Sequence, residues 1–142
     1  MIPFAGATVT LYNRREGKDA NGRTVVTWHR TVQHNCFWTR RTVRAIENGN
    51  VKIGEVLVCK IPESPAYLPP DEWATLTDPT GRFTLWAGDI IVLGDVPDEI
   101  GPSLTESALR MKYARRGLMV VTSAKDRCIS GAGLRHYLAE GV

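Results

Sequence analysis

The chain of 142 residues has little of what usually announces a chemistry. Its three cysteines, Cys36, Cys59 and Cys128, are odd in number and far apart. That excludes a disulfide framework and points to a reducing compartment. No stretch approaches the roughly 18 consecutive apolar residues of a membrane helix. Met1-Ile2-Pro3-Phe4 is not expected to open a secretory leader, because no basic segment precedes an apolar run. No membrane partner is expected. Charge of one sign is also scarce: the net charge is +3 and the pI about 8.9, a milder bias than a dedicated nucleic-acid binder carries. The excess sits in clusters: Arg14-Arg15, Arg40-Arg41 with Arg44, and Arg115-Arg116.

Catalytic and cofactor signatures are equally thin. There is no G-x-S-x-G elbow, and Ser130 has no strand–turn–helix around it. A Cys128–His136 dyad can be drawn, but nothing beyond the presence of the two residue types supports it. Asp71-Glu72 and Asp98-Glu99 sit beside prolines in loops, a poor setting for paired carboxylates. Gly131-Ala132-Gly133 lacks the Lys-Ser/Thr of a phosphate cradle. His34 and Cys36 share a face if the strand between them is regular, which makes half a metal site, but no second ligand pair accompanies them. Neither an enzyme, a metal nor a cofactor is expected.

What the chain does have is β patterning, with 43% hydrophobic and 23% charged residues and enough length for one cored domain over 1–142. Ala7 to Asn13 alternates, with Val9 and Leu11 opposed to Thr8, Thr10 and Tyr12. A polar tip at Arg15 to Arg23 leads to a return strand at Thr24 to Val32. Cys36 to Ala45 and Glu55 to Ile61 are further strands, separated by turn material from Glu47 to Gly54. Phe83 to Trp86 and Ile90 to Leu93 predict a hairpin about Ala87-Gly88-Asp89, its second arm covered on both faces. Ser103-Leu104-Thr105-Glu106 is a capping-box pattern opening a helix of about three turns that closes at Arg115-Arg116-Gly117. Leu118 to Ala124 and Leu134 to Leu138 complete the set. The fold class is mainly β: a small barrel or sandwich of seven or eight short strands, with one C-proximal α-helix and long loops.

Two stretches carry binding potential. Pro62 to Arg82 holds five of the eight prolines together with Tyr67, Leu68 and Trp73. It reads either as an insertion folded onto its own core or as a segment that packs on a partner, with deletion of residues 64–80 then leaving a folded monomer. Asp71 is placed to cap one helical turn within it. On the strand from Cys36, Trp38 shares a face with Arg40 and Arg44, the pairing of stacking and phosphate contact used by single-strand-binding barrels. The alternative is a solvated strand face with a partly buried tryptophan. Arg115 and Arg116 are either a solvated helix end or a second basic surface.

Thr8-Val9-Thr10-Leu11-Tyr12-Asn13, the tip ending Gly22-Arg23, and Trp28-His29-Arg30-Thr31-Val32 together resemble the start of small virion proteins of tailed bacteriophages, the minor capsid or head–tail connector proteins. Gly88-Asp89-Ile90-Ile91-Val92-Leu93-Gly94 is similar to their central element. Val120 to Arg127 with Leu134 to Tyr137 is similar to their closing strand–loop–strand. Pro62 to Arg82 and the helix have no counterpart in the resemblance.

The resemblance implies a head-closure, or stopper, protein: a homo-oligomeric ring in the neck, with the portal or adaptor protein above and the tail or tail-terminator protein below. It would be assembled in the host cytoplasm and retained in the virion. On this view Pro62 to Arg82, with Tyr67, Leu68 and Trp73 as partner contacts, or the Arg15 to Arg23 tip, is the element that orders on assembly, and Arg40, Arg44, Arg115 and Arg116 are the candidates for a surface facing packaged DNA. A tail-terminator or tail-completion ring is the neighbouring alternative. A single-strand nucleic-acid-binding barrel is the alternative from a different class.

Overall fold

A computed structural model describes residues 6–128 and 135–142. Among these, six strands and two helices run in the order β1 (Ala7–Lys18), β2 (Thr24–Glu47), β3 (Asn50–Pro62), α1 (Pro70–Ala74), β4 (Ile90–Leu93), α2 (Glu106–Tyr113), β5 (Leu118–Asp126) and β6 (His136–Gly141). Every pairing is antiparallel, and the sheet closes on itself in the order β1-β2-β3-β6-β5-β4, with β4 returning to β1. The mainly β expectation holds. No helix among the described residues is long and apolar enough to cross a membrane.

Two corner strands close the sheet. β2 pairs with β1 along its first half and with β3 along its second. The change falls at Asn35, whose φ of 59° accompanies a break in register opposite Ala7 to Val9. The extra residue flips the alternation. Thr31 and Gln33, opposite Leu11 and Val9, give way to Cys36 and Trp38 as the inward row. β5 likewise passes from β4 to β6 across an irregularity between Val121 and Ser123. Such bulges let a strand turn a corner between two sheet faces. Close approach is needed where β6 crosses β5. A Cβ on Gly141 would lie 2.1 Å from the Val120 carbonyl oxygen.

Burial follows from the closure. Val9, Leu11, Cys36, Cys59, Ile61, Ile91, Met119, Val121, Tyr137 and Ala139 fill the inside of the ring. A second apolar layer, Tyr12, Ile90, Val92, Val96, Leu109 and Tyr113, lies between the outer side of β1 and β4 and helix α2. β4 is therefore covered on both faces, as its uninterrupted apolar run predicts. Thr10, fully buried in β1, donates its hydroxyl to the Gly94 carbonyl and accepts from the Val96 amide, so the chain leaving β4 is stitched to β1.

Several boundaries differ from expectation. The strands predicted at 24–32 and 36–45 are one strand of 24 residues. The turn expected over 47–54 shrinks to Asn48-Gly49, both at positive φ (51° and 79°), a two-residue hairpin turn of the type Asn-Gly favours. Phe83 to Trp86 is not a strand, so the predicted hairpin with β4 is absent. Phe83 makes only an isolated bridge to Tyr67. Asp89 instead accepts the Trp86 amide and turns the chain into β4. Helix α2 is capped by Thr105, whose hydroxyl accepts from the Ala108 amide, rather than by Ser103. α1 begins on Pro69 and Pro70, with no side-chain cap from Asp71. The last strand runs to Gly141, beyond the predicted end at Leu138. Leu134, Ser130 and Gly131-Ala132-Gly133 lie outside the described residues.

Candidate functional site

β2 and β3 outrun the closed sheet. β1 pairs with β2 as far as Cys36, and β6 pairs with β3 only from Leu57 onward. Beyond these points, among the described residues, Thr42 to Glu47 and Asn50 to Glu55 pair only with each other, in register from Thr42↔Glu55 to Glu47↔Asn50. The result is a two-stranded arm with both edges open among the described residues. Residues 40–55 are exposed throughout. Seven residues of β3 from Asn50 to Val56 lack a partner on the β6 side, a projection of about 23 Å at strand rise.

One face of the arm continues the inward row of the ring. Trp38, Arg40, Thr42, Arg44 and Ile46 alternate along β2, opposite Cys59, Leu57, Glu55, Ile53 and Val51. Near the body this row is covered. At the tip, Ile46, Val51 and Ile53 are 76%, 62% and 66% exposed on the same face. Two ion pairs, Arg40–Glu55 at 3.2 Å and Lys52–Glu47 at 2.7 Å, cross the ribbon in water, where each contributes under about 1 kcal/mol. An isolated two-stranded ribbon is marginal. Apolar residues grouped at its end mark a contact surface.

The predicted basic face is thus split in use. Trp38 is half-buried against the inner core, its ring 3.6 Å from where a Cβ on Gly117 would stand. It closes that end of the ring with Leu93 and does not offer an open stacking platform. Arg40 and Arg44 are exposed on the arm. Arg115 and Arg116 follow α2, and the Arg116 guanidinium lies 5.9 Å from the Tyr113 ring centroid, packed over Gly94. Where the arm leaves the body, Phe37, Arg40, Arg41 and Lys60 line a groove of about 560 Å³. There the Lys60 ammonium sits 5.3 Å from the Phe37 ring, and Arg41 pairs with Glu140 at 2.6 Å.

The proline-rich segment folds onto its own body. Trp73 is 1% exposed, edge-on to His29 at 5.5 Å, with its indole N–H donating to the Arg82 carbonyl. Tyr67 stacks on Tyr137 at 3.9 Å and meets Phe83 at 5.7 Å, plugging the end of the ring opposite Trp38. Leu68 is half-buried, its amide bonded to the Phe83 carbonyl. These three side chains are spent within the chain in this conformation. The burial of Trp73 argues against the expectation that residues 64–80 can be removed from a folded monomer. The exposed aromatic here is Trp86, 60% accessible, at the mouth of a cleft of about 450 Å³ shared with Arg14, Arg15, Pro70 and Asp89.

Asp89 anchors that cleft. Its carboxylate accepts from the Asn13 amide nitrogen at 2.8 Å and from the Arg14 and Trp86 backbone amides at 2.9 Å each. Burial nevertheless pushes its pKa up to about 6. His29 is held below its ordinary value, chiefly by burial. The bulge at Asn35 separates His34, exposed and 3.4 Å from the Thr8 hydroxyl, from the buried Cys36. No three metal-ligating side chains converge among the described residues. Cys36 and Cys59 face each other inside the ring, and the neighbouring Cys36 thiol together with burial raises the Cys59 thiol well above its usual range.

A second exposed apolar surface lies far from the arm in sequence. Ser107, Arg110, Met111 and Ala114 of α2 and its end, with Leu118 and Val120 of β5 and with Val142, line a groove of about 430 Å³. Met111 and Val142 are 82% and 68% exposed there. Sequence periodicity gave no sign of it, because it lies between a helix and the strand that follows.

No curated protein and no solved structure matches the chain. The sequence model of one family does match, over residues 4–142. The chain belongs to that family, DUF6751, a family of unknown function.

Proposed function

We propose that this chain is a structural protein of a tailed-bacteriophage virion, forming a ring at the head–tail interface below the portal or adaptor, where it closes the DNA-filled head and docks the tail. The observation that supports this most is the arm. A body whose interior is filled and whose ends are plugged by Trp38 and by Tyr67 with Tyr137 has no lumen of its own. What it offers is an outreaching ribbon with apolar residues at its tip, a surface suited to contact between protein chains. Copies arranged about an axis can close a channel that one copy cannot. The basic residues Arg40, Arg44, Arg115 and Arg116 suit a wall beside DNA, giving salt-sensitive, sequence-independent attraction.

A tail-terminator or tail-completion ring uses the same features and differs only in its neighbours. The nucleic-acid-binding alternative now rests on the groove lined by Phe37, Arg40, Arg41 and Lys60 more than on Trp38. Electron microscopy of purified particles, with mass analysis of their components, tests the proposal. A ring of this chain between portal and tail is the expected result. Its absence from virions overturns the proposal and directs attention to oligonucleotide binding by the isolated protein.

A further inference from the structure

Asn-Gly occurs twice in the chain, at Asn21-Gly22 and Asn48-Gly49. Both pairs are exposed, one in the β1–β2 turn and one at the tip of the arm. The dipeptide carries a covalent chemistry of its own, because glycine offers its amide nitrogen with no side chain in the way. We propose that Asn48 is a site of spontaneous succinimide formation, converting to isoaspartate and aspartate, whereas Asn21 is held unreactive by its turn. The proposal stands apart from the ring proposed above and needs no partner.

The step uses only the chain and water. The Gly49 amide nitrogen attacks Cγ of Asn48 and gives up its proton. The new N–Cγ bond closes a five-membered imide, the Cγ–Nδ2 bond breaks, and the side-chain nitrogen leaves as ammonia with that proton. Water then opens the ring. Attack at Cγ restores the ordinary main chain with aspartate at the position. Attack at the main-chain carbonyl leaves the chain running through Cβ and Cγ, which is isoaspartate.

The two turns differ in how they hold the attacking nitrogen. Around Asn21, the Gly22 amide donates to the Asp19 carbonyl at 3.0 Å, and the Asp19 amide donates to the Arg23 carbonyl at 3.0 Å. The Asp19 carboxylate accepts from the Asn21 and Arg23 amides at 2.9 Å each. The Gly22 proton is therefore engaged, beside a negative charge that opposes its removal. At the arm tip, no acceptor takes the Gly49 amide among the described residues. Ring closure must rotate the Asn48–Gly49 peptide out of the turn. The turn opens cheaply there, because it ends a two-stranded ribbon with no covering layer.

Isoaspartate lengthens the main chain by one methylene inside a two-residue turn whose φ values, 51° and 79°, suit Asn-Gly. The Glu47↔Asn50 pair that closes the ribbon is then lost, and a new carboxylate stands next to Glu47. The arm frays from its tip while the body keeps its packing.

Ageing the full chain at mildly alkaline pH and mapping tryptic peptides tests this. Cleavage after Lys18, Arg23, Arg44 and Lys52 puts the two pairs in separate peptides, 19–23 and 45–52. Fragmentation of the second separates Asn48 from Asn50. Asn48 should convert more than tenfold faster than Asn21 in the folded chain, and at a similar rate to it in urea. Asp19→Ala should raise conversion at Asn21 several-fold. Asn48→Gly, which keeps a residue suited to positive φ, should stop conversion at the tip. The converted chain should exchange its amides faster over 43–54 with its melting temperature in place, and aged Asn48→Gly should not. Equal conversion at both sites in the folded chain would overturn the proposal. So would an intact Asn48 under conditions that convert a synthetic 45–52 peptide.

Discussion

Asp89 holds two segments with one carboxylate: β1 through Asn13 and Arg14, and the approach to β4 through Trp86. Replacing it by asparagine turns a nitrogen toward one of these donors. Asp89→Asn should cost about 1–3 kcal/mol at pH 7, read as a lower urea midpoint. The pH dependence runs opposite to that of most carboxylates. Burial raises the folded pKa to about 6 from the ordinary 3.8. The fold therefore favours the protonated acid, and this contribution is fully present below the ordinary value. It is lost as pH rises through about 6. The Asp89 share of stability should fall between these values, and Asp89→Asn should lack that fall when urea midpoints are compared from pH 4 to 7. Asp98 acts in the other direction, held below its usual range by the Lys112 ammonium and the Tyr113 hydroxyl, so the difference between the two proteins is the informative quantity. At Gly141 the limit is steric. A Cβ 2.1 Å from a backbone oxygen must push β6 off β5. Gly141→Ala should cost at least the roughly 1–3 kcal/mol of core overpacking, seen as a lowered melting temperature.

Among the elements, the proline-rich insertion and the arm invert the roles that composition suggests. Proline content marks 62–82 as peripheral, yet Trp73 and Tyr67 are core residues of the ends and flank of the ring. Trp73→Ala should cost about 3–5 kcal/mol, and deletion of 64–80 should leave a chain without a cooperative melting transition. The arm has ordinary strand composition, and its residues 40–55 are exposed throughout. Removing residues 43–54 and joining Thr42 to Glu55 through Asn-Gly keeps the Arg41↔Val56 register. The shortened protein should melt within a few degrees of the parent while losing self-association, measured by light scattering. Loss of the fold in that variant would show that the arm is part of the core after all.

For the whole molecule, a closed sheet with a filled interior assigns any channel to the space between copies. The two bulged corner strands, β2 and β5, set how the arm leaves the body, since β2 changes partner at Asn35 and continues straight into the ribbon. A ring assembled through such arms should resist dissociation by salt more than by mild denaturant, because its central contacts are apolar and only its flanking charges are screened. Sedimentation of the full chain at low and high salt checks this. Collapse to monomer in salt alone would assign the contact to charge.

Patterning by itself determined the β class, the double-sided burial of Ile90 to Leu93 and the site of α2, because each is a matter of local alternation or apolar runs. Asn48-Gly49 is legible too, as the strongest two-residue hairpin signal, though it lies inside the longer polar stretch from Glu47 to Gly54. Only the tertiary structure decided which strands pair, that 24–47 is one strand bent at a bulge, and that Phe83 to Trp86 bridges without forming a strand. Those depend on partners distant in sequence. The same holds for the candidate surfaces. Ile46, Val51 and Ile53 alternate like any half-buried strand, and nothing local tells that their covering strand is missing. Only where β1 and β6 stop pairing does the row that is core in the body become open surface on the arm.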